Sequence, residues 1–409
     1  MDAGRRAWAA GLFRAGIAAA DPDAAVRLAL SGFDRPGGRL LIVALGKAAG
    51  RMAGAALDAL GPAEALVITN DENAAPLSGA TVLAAGHPVP DARGLAAAEA
   101  VIAAAGALGR DDALLALVSG GGSALLPAPV AGVSLGDKAA VNRLLLASGA
   151  PIEAVNLVRQ NLSRLKGGGL ARLAHPARVT ALILSDVVGD DLRAIASGPT
   201  APPLGDAAAA AAVLRAHGIW EAAPASVRAH LASAPAAAPV PEADNRLIGS
   251  NALSLAAMAA AAPGARIDAR PLTGDVAEAA ARIVAAGGPG ISLWGGETTV
   301  QLRGAGQGGR NQELALRVAI LAEAAGWAHG WCFLSGGTDG RDGPTDAAGG
   351  IVDADSLGRM RAAGIDPSAA LAANDSHPAL AASGDLLMTG GTGTNVADLQ
   401  ILIRPQIRP

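Results

Sequence analysis

The sequence predicts two α/β three-layer domains, and three observations carry that prediction. Its 409 residues exceed the roughly 100 to 200 of an ordinary single domain. Apolar runs of strand length alternate with longer alanine-rich stretches of helical character, the pattern of α/β units with largely parallel sheets. Strand character then disappears from about Pro202 to Asp244, where alanine and proline dominate and the chain reads ASAPAAAPVPEADN, a boundary pattern. The expected division is residues 1–240, a Rossmann-like domain with a mainly parallel sheet, and residues 241–409, an α/β domain with a mixed sheet. The active site is expected in the cleft between them.

The elements follow in order. The N-terminal stretch places Arg14 inside its apolar part and Asp21 at its end, so it reads as an amphipathic helix rather than a secretion signal. Strands are expected at Leu40–Leu45, Ala65–Thr69, Leu114–Val118 and Thr180–Leu184, with helices such as Lys47–Leu60 and Gly94–Leu108 between them. The second half resumes with strands at 246–248, 291–294, 298–302, 331–334, 386–388 and 399–403. Hydrophobic residues make up 51% of the chain and aromatic residues 2%, so the cores must be built from Leu, Val, Ile and Ala.

Composition also excludes partners. A net charge of -4 without a basic run argues against nucleic acid or an anionic membrane surface. Residues 113–136 carry no charge over 24 positions, but Gly120–Gly122, three serines and two prolines interrupt them, so they do not span a membrane. The single cysteine, Cys332, lies in the apolar run WCFL, which reads as a buried position in a cytoplasmic protein.

Four strand-like runs end in a glycine pair followed by Ser or Thr: LVSGGGSAL, LWGGETT, FLSGGTDG and MTGGTGTN. Backbone N–H groups in such turns form concave anion nests at the carboxyl ends of strands. This predicts a ligand with several phosphates, held by Gly120, Gly121, Gly122, Ser123, Gly336, Gly337, Thr338 and Thr392, with Ser119 near the substrate. The 32 basic residues are 29 Arg and only three Lys, at positions 47, 138 and 166. Lys47 follows a strand at a helix start, where an ammonium suits a carboxylate or phosphate. The P-loop pattern is not met, because Leu41 and Ala48 stand where Gly and Ser or Thr are required. Lys166 precedes GGG at a helix end, and Lys138 in SLGDKAAVNRLL reads as part of a solvated helix face.

Two carboxylate clusters follow strands: Asp186, Asp190 and Asp191 in ILSDVVGDDL, and Asp339, Asp342 and Asp346 in SGGTDGRDGPTDAAGG. Most are expected to cap turns; one or two could hold Mg²⁺ beside substrate phosphates, or take a proton from an attacking hydroxyl. Six dispersed histidines and one cysteine leave a zinc site unsupported, and His87 in GHPVPD reads as a turn residue. Gly304, Gly306 and Gly309 literally satisfy GxGxxG, the dinucleotide fingerprint. The two strands expected in quick succession before them, and the lack of an acidic residue about 20 positions on, speak against a nicotinamide site. Arg310 and Asn311 are expected to face a ligand from the following helix start.

With these segments in view, the sequence resembles the glycerate 2-kinase family that carries the MOFRL domain, some of whose members are labelled hydroxypyruvate reductase. The resemblance runs through ALGKAAGRMA, GHPVPD, LVSGGGSALLPAP, NLVRQNLSRLKGGGLA, ILSDVVGDDLRAIASGPT, GSNAL, WGGETTVQLRGAGQGGRNQELAL, LSGGTDGRDGPTDAAGG and TGGTGTNVADL. It implies a two-domain α/β enzyme that phosphorylates D-glycerate at the 2-hydroxyl with ATP and Mg²⁺. Lys47 and Arg310 match the family's active-site lysine and arginine. Val188 and Gly391 stand where the family has proline, and Gln307 where it has a basic residue. The implied assignments are Lys47, Arg310 and Asp186 in catalysis; Lys47, Ser119, Arg310, Asn311 and Asp339 on substrate; the glycine turns, Thr392 and Lys166 on nucleotide; and Asp186 and Asp190 on metal. A monomer or homodimer is expected. The rival readings are an NAD(P)H-dependent hydroxypyruvate reductase and a non-catalytic phosphosugar-binding regulator.

Overall fold

A computed structural model describes residues 2–235 and 238–405, so two positions of the boundary stretch, Ala236 and Ala237, lie outside the described residues. The chain forms two compact units that divide differently from the expected split at 240/241. One is Pro22–Ile248; the other joins Met1–Asp21 to Gly249–Pro409.

In the first unit, strands β1 (Leu40–Leu45), β2 (Glu64–Asn70), β3 (Thr81–Ala85), β4 (Ala113–Val118), β5 (Arg178–Leu184) and β6 (Asp244–Gly249) make a six-stranded sheet in the order β3-β2-β1-β4-β5-β6. Strands β1 to β5 pair in parallel. Every residue of β1 and β4 is buried, because helices cover both faces; that is why these strands read as unbroken apolar runs rather than alternating ones. Leu45 pairs with both Ile68 and Val118, which sets the carboxyl ends of β1, β2 and β4 level. The strand order reverses between β1 and β4, and parallel sheets of this kind bind ligands in the crevice at such a switch point.

The described part of the alanine- and proline-rich stretch holds two helices. Helices Ala207–Ala216 and Ala225–Ser233 pack Leu214, Val227 and Leu231 against Val141, Leu145 and Val158 of the helices Leu135–Ala147 and Ile152–Asn161. Ser134 and Asp137 form a reciprocal capping box at the start of Leu135–Ala147, which satisfies two backbone donors that the first turn leaves open.

The second unit holds β7 (Arg266–Ile267), β8 (Leu272–Asp275), β9 (Gly290–Thr299), β10 (Cys332–Gly337), β11 (Gly349–Asp353), β12 (Leu386–Leu387) and β13 (Asp398–Arg404). Their order is β12-β11-β10-β13-β9-β7, with β8 also paired to β9. The sheet is mixed, as expected: β13 runs antiparallel to β9 and β10, whereas β7 and β8 run parallel to β9. The two strands expected at 291–294 and 298–302 are one strand ending at Thr299. Gly295 and Gly296 lie inside it, paired to Leu399 and Asp398. Helix Asp2–Ala19 packs Phe13 into this unit's core beside Leu334, Leu399 and Ile401. From the same helix, Arg6 pairs with the buried Asp353 and Asp385 at 2.8 Å each, and Arg359 holds both from the other side. Cys332 is buried. Among the described residues, no helix is long and apolar enough to cross a membrane.

Candidate active site

The first unit gathers its candidate residues at the switch point. Gly46 follows β1 with φ of 117°. A Cβ there would collide with the Ser119 backbone carbonyl and hydroxyl, so only glycine lets the ends of β1 and β4 close together. Ser119 ties them. Its hydroxyl donates to the Leu45 carbonyl at 3.2 Å and accepts the Ala48 N–H at 3.1 Å, and it is 3% exposed. This corrects the expectation that Ser119 contacts substrate: its donor and acceptor join two strand ends.

The Lys47 N–H donates to the Gly120 carbonyl at 2.9 Å, which fixes the base of the lysine side chain over β4. A Cβ on Gly121 would sit 3.1 Å from His87 Nε2 and 3.4 Å from Lys47 Cγ, and one on Gly120 would collide with the Asp186 carboxylate. Lys47, His87, Gly120, Gly121 and Asp186 therefore share one corner. Asp186 accepts the Gly121 N–H, so a carboxylate of the chain itself takes an amide that the sequence had reserved for phosphate. Burial pushes the Asp186 carboxyl up, while its own backbone N–H, the Lys47 charge and the Gly121 N–H oppose the rise. Burial first, and Lys47 second, push the His87 imidazole down, so it enters neutral chemistry uncharged. His87 is thus more than a turn residue. The signal missed in the sequence was only its spacing from Lys47, which nothing local encodes.

Asp190 sits in the same loop as Asp186, with φ of 54°. Its Oδ1 is buried without a hydrogen-bond partner among the described residues, and an unpaired buried carboxylate oxygen is costly unless a cation or donor reaches it. Asp191 is taken up by Arg193. No group of three or more metal-ligating side chains occurs among the described residues. Ser123 and Lys166 come together: Lys166 Nζ donates to Ser123 Oγ at 2.6 Å and to the Ser123 carbonyl at 2.7 Å, and Ser123 Oγ shares a 2.9 Å hydrogen bond with Ser197 Oγ. Lys138 is not on a solvated face. Its Nζ donates to the Pro127 carbonyl at 2.6 Å, and burial, then Arg159, pushes it down to about 7.

In the second unit, Arg310 opens the helix Arg310–Ala324. Its Nε and Nη2 make a bidentate bridge to Asp398 at 2.6 and 2.9 Å, and its Nη1 lies 3.0 Å from Glu297. Asp398 is buried, and burial raises its carboxyl pKa against the pull of Arg310. Paired carboxylates hold Arg310 permanently charged and fixed in direction. Asp342 caps the same helix, accepting the Asn311 and Gln312 N–H groups at 3.1 and 2.8 Å; burial pushes it up to about 6. Asn311, expected to face a ligand, is 1% exposed, and its Oδ1 accepts the Ser335 hydroxyl at 2.6 Å. It braces β10 instead. Asp339 accepts the Arg341 N–H at 3.0 Å and lies close enough for its charge to raise Asp398.

The glycine turns of this unit need correcting. Gly336 and Gly337 are the last residues of β10, paired to β11 and β13, and the Thr338 N–H and hydroxyl both donate to the Ala397 carbonyl at 3.1 and 2.7 Å. Their donors complete a ladder and form no anion nest. Thr392 donates to the Thr338 carbonyl at 2.5 Å and so closes the same turn. The GxGxxG loop is also spoken for: Asn374 Oδ1 accepts the Arg303 and Gly304 N–H groups, Ala373 O accepts that of Gly306, and Asp375 Oδ1 accepts that of Gln307. Side chains at Gly304 and Gly306 would collide with Ala373 and Asp375. These glycines admit a neighbouring loop, and the fingerprint is a coincidence of backbone packing.

Fold and site together define a two-unit α/β protein. One unit is a doubly wound parallel sheet with a lysine, a histidine and a carboxylate at its switch point; the other is a mixed sheet presenting a clamped arginine. Residues 8–232 match the family described as a domain of unknown function, DUF4147, and residues 290–398 match the MOFRL family. The chain is 40% identical to the D-glycerate 2-kinase of Thermotoga maritima over 94% of its own length and 95% of that protein's. It is 44% identical to a putative hydroxypyruvate reductase of Agrobacterium vitis, covering 96% and 93%. The crystal structure of the T. maritima glycerate kinase superposes with a TM-score of 0.90 at 38% identity, covering 98% of this chain and 99% of that one. The chain belongs to the glycerate kinase family that carries the MOFRL domain.

Proposed function

We propose that the chain is a cytoplasmic glycerate 2-kinase, transferring the γ-phosphoryl group of ATP to the 2-hydroxyl of D-glycerate with Mg²⁺ to give 2-phosphoglycerate. The observation that carries this reading is the Lys47, His87 and Asp186 corner at the carboxyl ends of β1 and β4, supported by relatives named glycerate kinase. Lys47 offers an ammonium to a carboxylate or to the migrating phosphoryl group. Asp186, whose carboxyl is pushed up, accepts the proton as the hydroxyl oxygen forms its bond to phosphorus and the bond to the ADP oxygen breaks. Neutral His87 donates its one ring N–H to the same anion without adding charge. In the other unit, Arg310, held by Asp398 and Glu297, supplies a second fixed cation.

Asp190 fits Mg²⁺, which takes one or two carboxylates beside phosphate oxygens and water, because its buried Oδ1 has no other partner among the described residues. When bound, the ion would neutralise charge on the transferring phosphates. Against a nicotinamide-dependent reductase stands the GxGxxG loop, whose amides already have acceptors in residues 373–375. Purified protein given D-glycerate, ATP and Mg²⁺ should release ADP and form 2-phosphoglycerate by ³¹P NMR, and given hydroxypyruvate and NADH should leave the 340 nm absorbance unchanged. The opposite pattern would make it a reductase, and silence in both assays would favour a phosphosugar-binding regulator.

A further inference from the structure

A cavity of about 390 Å³ lies inside the first unit, lined from one side by His87 and Gly121 and from the other by the helices Leu135–Ala147 and Ile152–Asn161. Four cationic side chains, Lys138, Arg143, Arg159 and Lys166, line it, and no carboxylate does. Their hydrogen bonds go to neutral acceptors. Lys138 holds the Pro127 carbonyl, Arg159 holds Asn142 Oδ1 at 2.8 and 2.5 Å, and Lys166, 5% exposed, holds Ser123. None of the four makes an ion pair among the described residues. Arg143 stands exposed at the cavity with no hydrogen bond among them.

Crowded cations without counter-charge cost free energy unless an anion joins them. Burial, Lys138 and Arg159 all push the Lys166 proton off. A carboxylate carrying one charge would answer only one of these groups, whereas a triphosphate carries enough negative charge to meet Arg143 and Arg159 and to draw protons back onto Lys138 and Lys166. Phosphate oxygens also accept from Lys and Arg in the geometry these donors offer. Two further features orient such a ligand. Gly121 and His87 belong both to this cavity and to the corner that holds Lys47, and neither Lys47 nor Asp186 lines the cavity itself.

We propose that this cavity is the polyphosphate subsite of the enzyme, with Lys138, Arg143 and Arg159 as its nucleotide-binding cations and the Gly121–His87 side directed toward Lys47. The inference rests on the kinase reading for the source of the polyphosphate, a nucleoside triphosphate. The cavity's charge balance does not depend on that reading.

The test measures inorganic tripolyphosphate binding by isothermal titration calorimetry and by thermal shift, alongside the KM for ATP in the glycerate assay. Tripolyphosphate should bind wild type and raise its melting temperature, and Lys47→Gln, which alters no residue of the cavity lining, should lose less affinity than the cavity variants. The double variant Lys138→Gln with Arg159→Gln should bind at least tenfold more weakly while melting, without ligand, no lower than wild type, because repulsion has been relieved. Wild-type affinity in that folded variant would overturn the proposal. If the double variant does not fold, Arg143→Gln, altered only at the exposed rim, decides: a several-fold loss of tripolyphosphate affinity is expected, and no change would refute the site. Glycerate turnover with an unaltered KM for ATP in the variants would leave the kinase reading standing and remove the subsite. Binding lost in the variants of an enzyme that never turns over glycerate would do the reverse.

Discussion

The two units hold their cations in opposite ways. Arg310 is answered three times over, by both oxygens of the buried Asp398 and by Glu297, whereas Lys138, Arg143, Arg159 and Lys166 surround a cavity in which no carboxylate appears. A guanidinium bridged to carboxylates cannot turn or lose its proton, so it serves as a fixed instrument whose strength does not depend on what binds. A group of unanswered cations is the reverse: its energy falls only when an anion arrives, so its strength is expressed in binding. Lys47 lies between these extremes, with one carboxylate, Asp186, near enough to feel its charge.

Removing the intermediate case should have the largest effect. Lys47→Ala is expected to lower kcat/KM for glycerate phosphorylation by about 10³-fold, the scale of losing a group aimed at transition-state charge, with the melting temperature unchanged. Near-normal turnover would refute its assignment. Next, Asp398→Asn should convert the fixed cation into a loose one. A misplaced catalytic group costs about 10²-fold, and the double variant Asp398→Asn with Arg310→Gln should be little worse than Arg310→Gln alone. Additive losses in that cycle would show that Asp398 does not act through Arg310.

Acidity sharpens the contrast further. Lys138 is pushed down to about 7 by burial and by Arg159, with Arg143, Lys166 and His87 also lining its cavity. Between pH 7 and 10 the unfolded chain keeps a proton on Lys138 that the folded chain releases, so this group's contribution makes folding stability rise with pH across that window. Polyphosphate binding should move oppositely, weakening as pH rises from 7 to 9 and taking up protons at pH 8, as calorimetry in buffers of different ionisation enthalpy would read. The smallest effect is expected from Ser134→Ala. It removes the cap of the helix that carries Lys138, costing about 1 kcal/mol of stability and a few-fold in tripolyphosphate affinity, with no change in the behaviour of Arg310.

How much of this was legible in the sequence depends on the range of the interactions involved. Strands β1, β2, β4 and β5 announced themselves because both faces are buried, so composition alone marks them. Lys47 and Asp186 were legible because each follows such a run directly. The glycines of β9 and β10 were misread as turns because a glycine pair looks the same in a turn and in a ladder; only pairing with β13, sixty or more residues on, distinguishes them. Lys138 was misread for a related reason. Its neighbours Gly136 and Asp137 are polar and local, whereas the Pro127 carbonyl and Arg159 that define its environment come from other elements. Glu297 and Asp398 carry no local signature at all, since their function is to meet Arg310. The helix Asp2–Ala19 could be read as amphipathic, but not which core it would enter.

That helix has a consequence in time. Arg6 is 379 residues from Asp385, the carboxylate it grips. At the usual 5 to 20 residues per second of synthesis, roughly 20 to 75 seconds separate the emergence of the two partners. The unit Pro22–Ile248 has all its strands before then and can complete its sheet while the first helix still waits with Phe13 and Leu12 uncovered. The order of folding is therefore inverted relative to the order of the chain, and a segment made well before its partners is among the last to find its place.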